Sequence, residues 1–281
     1  MTGAIIGDIV GSRFEFSNIK SKSFGLFTDE CRPTDDSIMT LAIAKAIMET
    51  EKSIPAVSDG LPIDREYCSL LESMAVRYMR EIGRKYPDCG YGGRFALWIS
   101  CSDPKPYNSF GNGAAMRISP VAHIAKSENE VRLLSEAVTK VTHNHREGLK
   151  GAEATAMAIY MACCGYSKNE IREKINKDYY DLSFRIDDIR DTYRFDETCQ
   201  GSVPQAIAAF LESESFEDAI RTAVSSGGDS DTLAAIAGSI AEAYYGVPES
   251  LGEKALTYLD EFLRSIFLEW QEFLGYIRQK S

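Results

Sequence analysis

Histidine is scarce in this chain: three residues, at 123, 143 and 145, among 281. That scarcity argues against a histidine-rich zinc centre. The seven cysteines, at 31, 68, 89, 101, 163, 164 and 199, supply no alternative. They are odd in number, scattered and without a C-x-x-C pair, which reads as reduced thiols in a cytoplasmic protein. Positive charge is also in deficit. With 31 Lys+Arg against 42 Asp+Glu the formal net charge is −11. Nucleic acid is therefore not an expected partner, because gripping it takes clustered basic residues that displace phosphate counterions. An anionic membrane surface is excluded on the same ground. Long apolar runs are missing too: nothing reaches the roughly 18–20 residues of a membrane span. The run Ala4-Ile5-Ile6-Gly7 meets Asp8, Arg13 and Glu15 too soon for a signal peptide. No repeat of roughly 30–50 residues is present, which weighs against a solenoid.

What is present is ordinary globular composition, 44% hydrophobic and 26% charged, in a chain long enough for a sizeable core. Helical periodicity dominates. Apolar residues recur at three- and four-residue spacing over 38–48, 65–82, 128–141, 148–164, 202–211, 216–226, 231–245 and 251–277. Period-two alternation is almost absent, so the chain is expected to be all-α. Small residues crowd several of these helices, including Ala42, Ala44 and Ala46, the alanines from 152 to 158, and Ala234, Ala235, Ala237 and Gly238. Such faces let central helices cross closely, as in a compact single domain spanning 1–281. Breaks at 17–33, 86–93, 102–113 and 178–200 have no linker composition.

Two short segments carry more acid than helix capping requires. Thr34-Asp35-Asp36-Ser37 opens one small-residue helix, and Gly227-Gly228-Asp229-Ser230-Asp231-Thr232 opens another. A single Thr or Asp at each would serve as an N-cap, but a cap explains neither the second Asp nor the paired glycines. If the two helices lie side by side, Asp35, Asp36, Asp229 and Asp231 converge with Thr34 and Thr232. Uncompensated, close carboxylates in poorly solvated surroundings repel strongly. Divalent cations relieve that repulsion, and all-oxygen ligation suits Mg²⁺ or Mn²⁺, with two ions the usual count. Ser109-Phe110-Gly111-Asn112-Gly113 is a glycine-flanked turn able to present N–H groups to a phosphate and a ring to a base, although Gly-Asn-Gly is also a common turn. Thr142-His143-Asn144-His145 reads as a capping and hydrogen-bonding junction between helices; its i, i+2 histidines would also suit part of a metal site, but no Cys or third His supports that.

Taken together, residues 3–15 (GAIIGDIVGSRFE), TDDS at 34–37, GNGAAMR at 111–117, TH at 142–143 and GGDSDT at 227–232 resemble the ADP-ribosylglycohydrolase family. The matches keep the family's order from residue 3 to about residue 246. The resemblance implies an all-α fold holding two Mg²⁺ or Mn²⁺, with Thr34, Asp35, Asp36, Asp229, Asp231 and Thr232 as the ligands. It implies Glu15 as a carboxylate on a mobile flap, with Glu15, Asp36 or Asp229 in the catalytic step. It further implies Gly90 near the ribose, Ser109, Phe110, Gly111 and Asn112 around the pyrophosphate and adenine, and His143 on the substrate side. Arg13 and Arg117 either offset the ligand's negative charge or pair with nearby acids.

The activity so implied is metal-dependent hydrolysis of a glycosidic bond between ADP-ribose and a modified side chain. The partner is then an ADP-ribosylated protein or a small ADP-ribose conjugate, with a monomer as the default state. Two alternatives stand beside it: a non-catalytic ADP-ribose-binding relative, and a hydrolase of a metabolite such as O-acetyl-ADP-ribose.

Overall fold

A computed structural model describes residues 1–280. Among them are fifteen helices and no strand: α1 (Thr2–Gly11), α2 (Asp35–Ser53), α3 (Arg65–Gly83), α4 (Gly93–Ser100), α5 (Gly113–Met116), α6 (Ser119–Ile124), α7 (Glu128–Thr139), α8 (Arg146–Cys163), α9 (Lys168–Asp178), α10 (Ile186–Ile189), α11 (Cys199–Glu212), α12 (Phe216–Ser225), α13 (Ser230–Tyr245), α14 (Glu249–Leu256) and α15 (Glu261–Lys280). Extended pairing is confined to one bridge between Gly111 and Thr198. None of the helices is long and apolar enough to cross a membrane, and all seven cysteines are free.

The expected helices are present and α4, α5, α6, α9 and α10 add to them, the last inside the expected break at 178–200. Two further differences are instructive. The run 251–277 is two helices, because the chain turns at Thr257–Asp260 and Asp260 accepts a hydrogen bond from Leu263 N at 2.8 Å to restart it. The N-terminal run, which has no amphipathic period to mark it, is helix α1, buried from Gly3 to Gly11. It is central because of its glycines. Gly3, Gly7 and Gly11, spaced by four, form a stripe laid against α13, where an added Cβ would overlap the backbone of Gly238, Ala234 and Asp231 respectively. Only main chain fits this crossing, and the small residues of α13 complete the contact.

α13 is buried from Ser230 to Ala241 and packs against α1, α8, α11 and α12, while α2 packs against α1, α3 and α15. The consequence for function is positional. The α1–α13 crossing and the Asp8 hydrogen bonds to Thr34 bring Asp8 of α1, the start of α2 and the start of α13 together.

Candidate metal centre and ligand cavity

The starts of α2 and α13 use different devices, and the difference decides which acids are free. At α2, Thr34 is the cap: its hydroxyl accepts from Asp36 N at 3.3 Å, leaving the Asp35 and Asp36 carboxylates free of capping duty. At α13, Asp229 occupies the cap position but makes no capping bond; its carboxylate instead accepts from Asn112 Nδ2 at 2.7 Å. Gly227 and Gly228, at φ +69° and +72°, make the turn that aims it there. Asp231 Oδ1 accepts from Thr232 N at 3.0 Å, and the Thr232 hydroxyl donates to Asp36 Oδ2 at 3.2 Å, joining the two helix starts.

Glu15 completes the cluster. It offers a carboxylate oxygen within 4.8 Å of oxygens of Asp229 and Asp231, a grouping able to hold a metal ion. Asp36 Oδ1 is buried without any hydrogen-bond partner. A buried unpaired carboxylate oxygen is costly, and an all-oxygen donor set around it fits a hard divalent cation.

Crowding of acids shows in their titration. Burial first, and then the Asp231 charge, hold Asp35 and Asp36 well above the ordinary carboxylate range. Asp231 is raised in the same way, by burial and then by Asp229. Burial lifts Asp229 to about 6, its hydrogen bonds opposing. Glu15 is pushed up to about 7 by partial burial and the Asp231 charge. Every acid in the cluster resists ionising beside the others, the behaviour of a site completed by positive charge.

Asp8 is the residue that motif reasoning passed over. It is fully buried, and it accepts from Thr34 N at 2.9 Å, the Thr34 hydroxyl at 2.6 Å, Ser37 N at 3.0 Å and the Ser37 hydroxyl. One carboxylate on α1 thereby fixes the first turn of α2. A lone acid inside the run Ala4–Val10 was the available signal, since a charge there is retained only when it is fully hydrogen-bonded.

Beside the cluster opens a cavity of about 500 Å³, within the range that takes a nucleotide-sized ligand. Its acidic end is lined by Glu15, Asp35, Asp36, Asp229, Asp231 and Thr232. Thr34 is the one sequence-predicted site residue absent from the lining, because its hydroxyl turns to Asp8. Gly90, at φ +118°, lines the wall where a Cβ would come to 2.9 Å from Asp35 Oδ1.

The far end holds Ser109, Phe110, Gly111, Asn112 and His143. Its turn is held from outside: Asn112 N donates to Glu197 O at 2.8 Å, and Cys199 N to Phe110 O at 2.9 Å. Phe110 lies 5.2 Å from the His145 ring. The two histidines part, since His145 caps α8 by accepting from Glu147 N while His143 faces the cavity. Asn112 proves to be a bridge, reaching the acidic end through Asp229. Arg94, Tyr107, Phe195 and Thr198 also line the cavity and had no sequence motif to mark them.

The arginines separate as well. Arg13 is structural, donating to Gly25 O with its guanidinium 4.2 Å from the Phe14 ring centroid. Arg117 is buried and lines the cavity. The segment after Glu15 is linked by hydrogen bonds to the turn before α13 and to Tyr193. Asn18 Nδ2 donates to Glu15 O at 3.0 Å and to Gly228 O at 2.9 Å, and Asn18 Oδ1 accepts from Gly228 N at 2.8 Å. Lys20 Nζ donates to Tyr193 O and Ser226 O at 2.9 and 2.6 Å.

An all-helical domain with buried carboxylates at one end of an open cavity is a frame that can hold cations against a ligand. The chain belongs to the ADP-ribosylglycohydrolase family, whose profile matches residues 1–272. It is similar to the ADP-ribosylhydrolase ARH3 of Mus musculus, at 27% identity over 89% of this chain and 84% of the mouse protein. It is also similar to the ADP-ribosylarginine hydrolase Tri1 of Pseudomonas putida (strain GB-1), at 28% identity over 88% of this chain and 70% of that one. The ADP-ribosyl-[dinitrogen reductase] glycohydrolase of Rhodospirillum rubrum is 26% identical over 88% of this chain and 84% of its own. Among solved structures, an ADP-ribosylglycohydrolase-related protein complex shares the fold, with a TM-score of 0.65 and 22% identity, covering 99% of this chain and 95% of that one.

Proposed function

We propose that this protein is a metal-dependent hydrolase that cleaves the glycosidic bond between ADP-ribose and a modified side chain, releasing free ADP-ribose. The observation that carries the reading is the placement of Glu15 against Asp229 and Asp231 at one end of a nucleotide-sized cavity, with the unpaired Asp36 Oδ1 in the same cluster. The reading assigns two Mg²⁺ or Mn²⁺ to Thr34, Asp35, Asp36, Asp229, Asp231 and Thr232. Such ions, when bound, supply positive charge that offsets the acids and polarises bound hydroxyls and water.

The chain's own residues do the rest. Asn112 orients Asp229, Thr232 orients Asp36, and Asp8 fixes the turn carrying Thr34. The Gly111 turn, Ser109 and Phe110 receive the diphosphate and base, which places the anomeric carbon of the ribose near Glu15. Departure of the side chain passes through an oxocarbenium-like state. Water oxygen bonds to the anomeric carbon as the carbon–nitrogen or carbon–oxygen bond breaks. The Glu15 carboxylate takes the water's proton and passes it to the departing nitrogen or oxygen, which returns Glu15 to its ionised form. Glu15 is suited to the role by position and by a basicity raised towards neutral pH.

The test is release of free ADP-ribose from ADP-ribosyl-arginine and ADP-ribosyl-serine peptides and from O-acetyl-ADP-ribose, with and without EDTA. Release from a peptide that EDTA abolishes is expected. Release from O-acetyl-ADP-ribose alone would move the substrate to small conjugates. Tight ADP-ribose binding without release from any of the three would make the protein a binding module.

A further inference from the structure

Arg117 is 1% exposed, yet among the described residues no carboxylate lies within ion-pair distance of it, and its Nε has no hydrogen-bond partner. A buried guanidinium without a counter-charge is unfavourable unless something else uses the charge. Its contacts show the use. Nη2 donates to the Thr142 hydroxyl at 2.7 Å and stands 3.4 Å from His143 Nδ1, while the Thr142 hydroxyl lies 2.8 Å from the same Nδ1. The guanidinium sits over the Phe95 ring, 5.5 Å from its centroid.

Guanidinium has only donors. A proton on His143 Nδ1 would face the Arg117 N–H at 3.4 Å and would turn the Thr142 hydroxyl proton to its other acceptor, Thr139 O, at a long 3.4 Å. The geometry favours Nδ1 as the acceptor, taking the Thr142 hydroxyl proton at 2.8 Å beside the Arg117 N–H. The ring proton of a neutral imidazole then resides on Nε2. That atom points at the cavity turn: a Cβ added to Gly111 or to Gly113 would lie 3.6 Å from it. No protein acceptor is hydrogen-bonded to it among the described residues.

We propose that Arg117 is a positioning residue that locks His143 in its neutral, Nε2-protonated form, so that the ring serves as a standing N–H donor to an anionic oxygen of the ligand at the Gly111–Gly113 turn. This rests on the ADP-ribose reading above only for the ligand's identity, a diphosphate. Protonation of the ring is opposed by burial and by the charges facing it, Arg117 first and then Arg94, while Tyr107 packs against it as a ring with centroids 6.0 Å apart. The donor therefore persists over the physiological range in which an ordinary histidine switches.

The experiment is ¹⁵N spectroscopy of the imidazoles of the full chain, in which only three histidines appear, with His143 assigned by its loss in His143→Gln. Wild-type His143 is expected to carry its proton on Nε2 from about pH 5 to about pH 8 without titrating. In Arg117→Met, His143 is expected to titrate or to mix tautomers, and calorimetric ADP-ribose affinity to fall about tenfold or more. A wild-type His143 protonated on Nδ1, or titrating near its ordinary midpoint, overturns the proposal without any variant. Arg117→Met with an unchanged tautomer and unchanged affinity also overturns it. Should Arg117→Met not fold, Thr142→Val retains the arginine and is expected to keep the Nε2 tautomer; its loss there would assign the lock to Thr142 instead. A wild-type protein with the tautomer but no ADP-ribose binding would refute the functional reading and leave the Arg117–His143 coupling in place.

Discussion

Replacing Asp229 by Asn should stabilise the metal-free protein, the reverse of what removing a buried hydrogen-bonded group usually does. Burial holds the Asp229 carboxyl at about 6, above its ordinary 3.8. The native state keeps this proton where the unfolded chain has released it. The stability of the wild type is therefore intact below about pH 4 and is lost as pH rises through about 6. A rise from 3.8 to about 6 corresponds to about 3 kcal/mol at pH 8. Asparagine has the same shape and still offers an oxygen to Asn112 Nδ2, at 2.7 Å in the wild type, so little is lost in exchange.

Melting in EDTA at pH 8 should show the variant higher by about 6–12 °C, at the 2–4 °C per kcal/mol typical of domains approaching this size. At pH 5 the advantage should shrink by about half. His123 and His143, both held below their ordinary range, titrate alike in the two proteins and cancel from the difference. Saturating Mn²⁺ should reverse the order, because a cation at about a thousand times its Kd adds about 4 kcal/mol to the wild type, while the variant lacks a ligand. A variant that melts below wild type in EDTA at pH 8, or whose advantage does not vary with pH, would refute the idea that the acid cluster is strained without cations.

Three further outcomes follow from particular contacts. Glu15→Gln should fold and melt no lower than wild type but turn over about 10²–10⁴-fold more slowly; unchanged turnover would move the base elsewhere. Asn18→Ala frees the Glu15 segment from Gly228, and steady-state kinetics should show kcat down about tenfold with KM nearly unchanged. Gly7→Ala gains about 1 kcal/mol of helix propensity but drives a methyl into the Ala234 carbonyl, which costs about 3 kcal/mol or more. Urea denaturation should therefore show a net loss, and a neutral result would mean that α1 and α13 do not cross as closely as described.

Much of the site was legible because its chemistry is written in short runs. Two acids beside a hydroxyl at a helix start, and Asp-x-Asp-Thr after two glycines, exceed any capping need, and the glycines do take up positive φ. Less legible were groups whose role depends on distant contacts. Asp8 looks like an oddity in an apolar run until it is seen holding Thr34 and Ser37. Asn112 belongs by motif to the ligand turn, yet it also grips Asp229 across 117 positions of chain. Arg13 and Arg117 sit in equally suggestive motifs, and only packing sends one to a carbonyl and the other to the cavity.

Sequence by itself determined the all-helical class and the oxygen-rich character of the cluster, because periodicity and composition are local properties of the chain. Tertiary structure alone decided that Gly3, Gly7 and Gly11 admit the α13 backbone, and so that the starts of α2 and α13 meet at Asp8. It also decided that His143 faces the cavity while His145 caps a helix. Those outcomes depend on which surfaces are close enough to exclude a methyl group or share a proton, and residue spacing along the chain does not encode that.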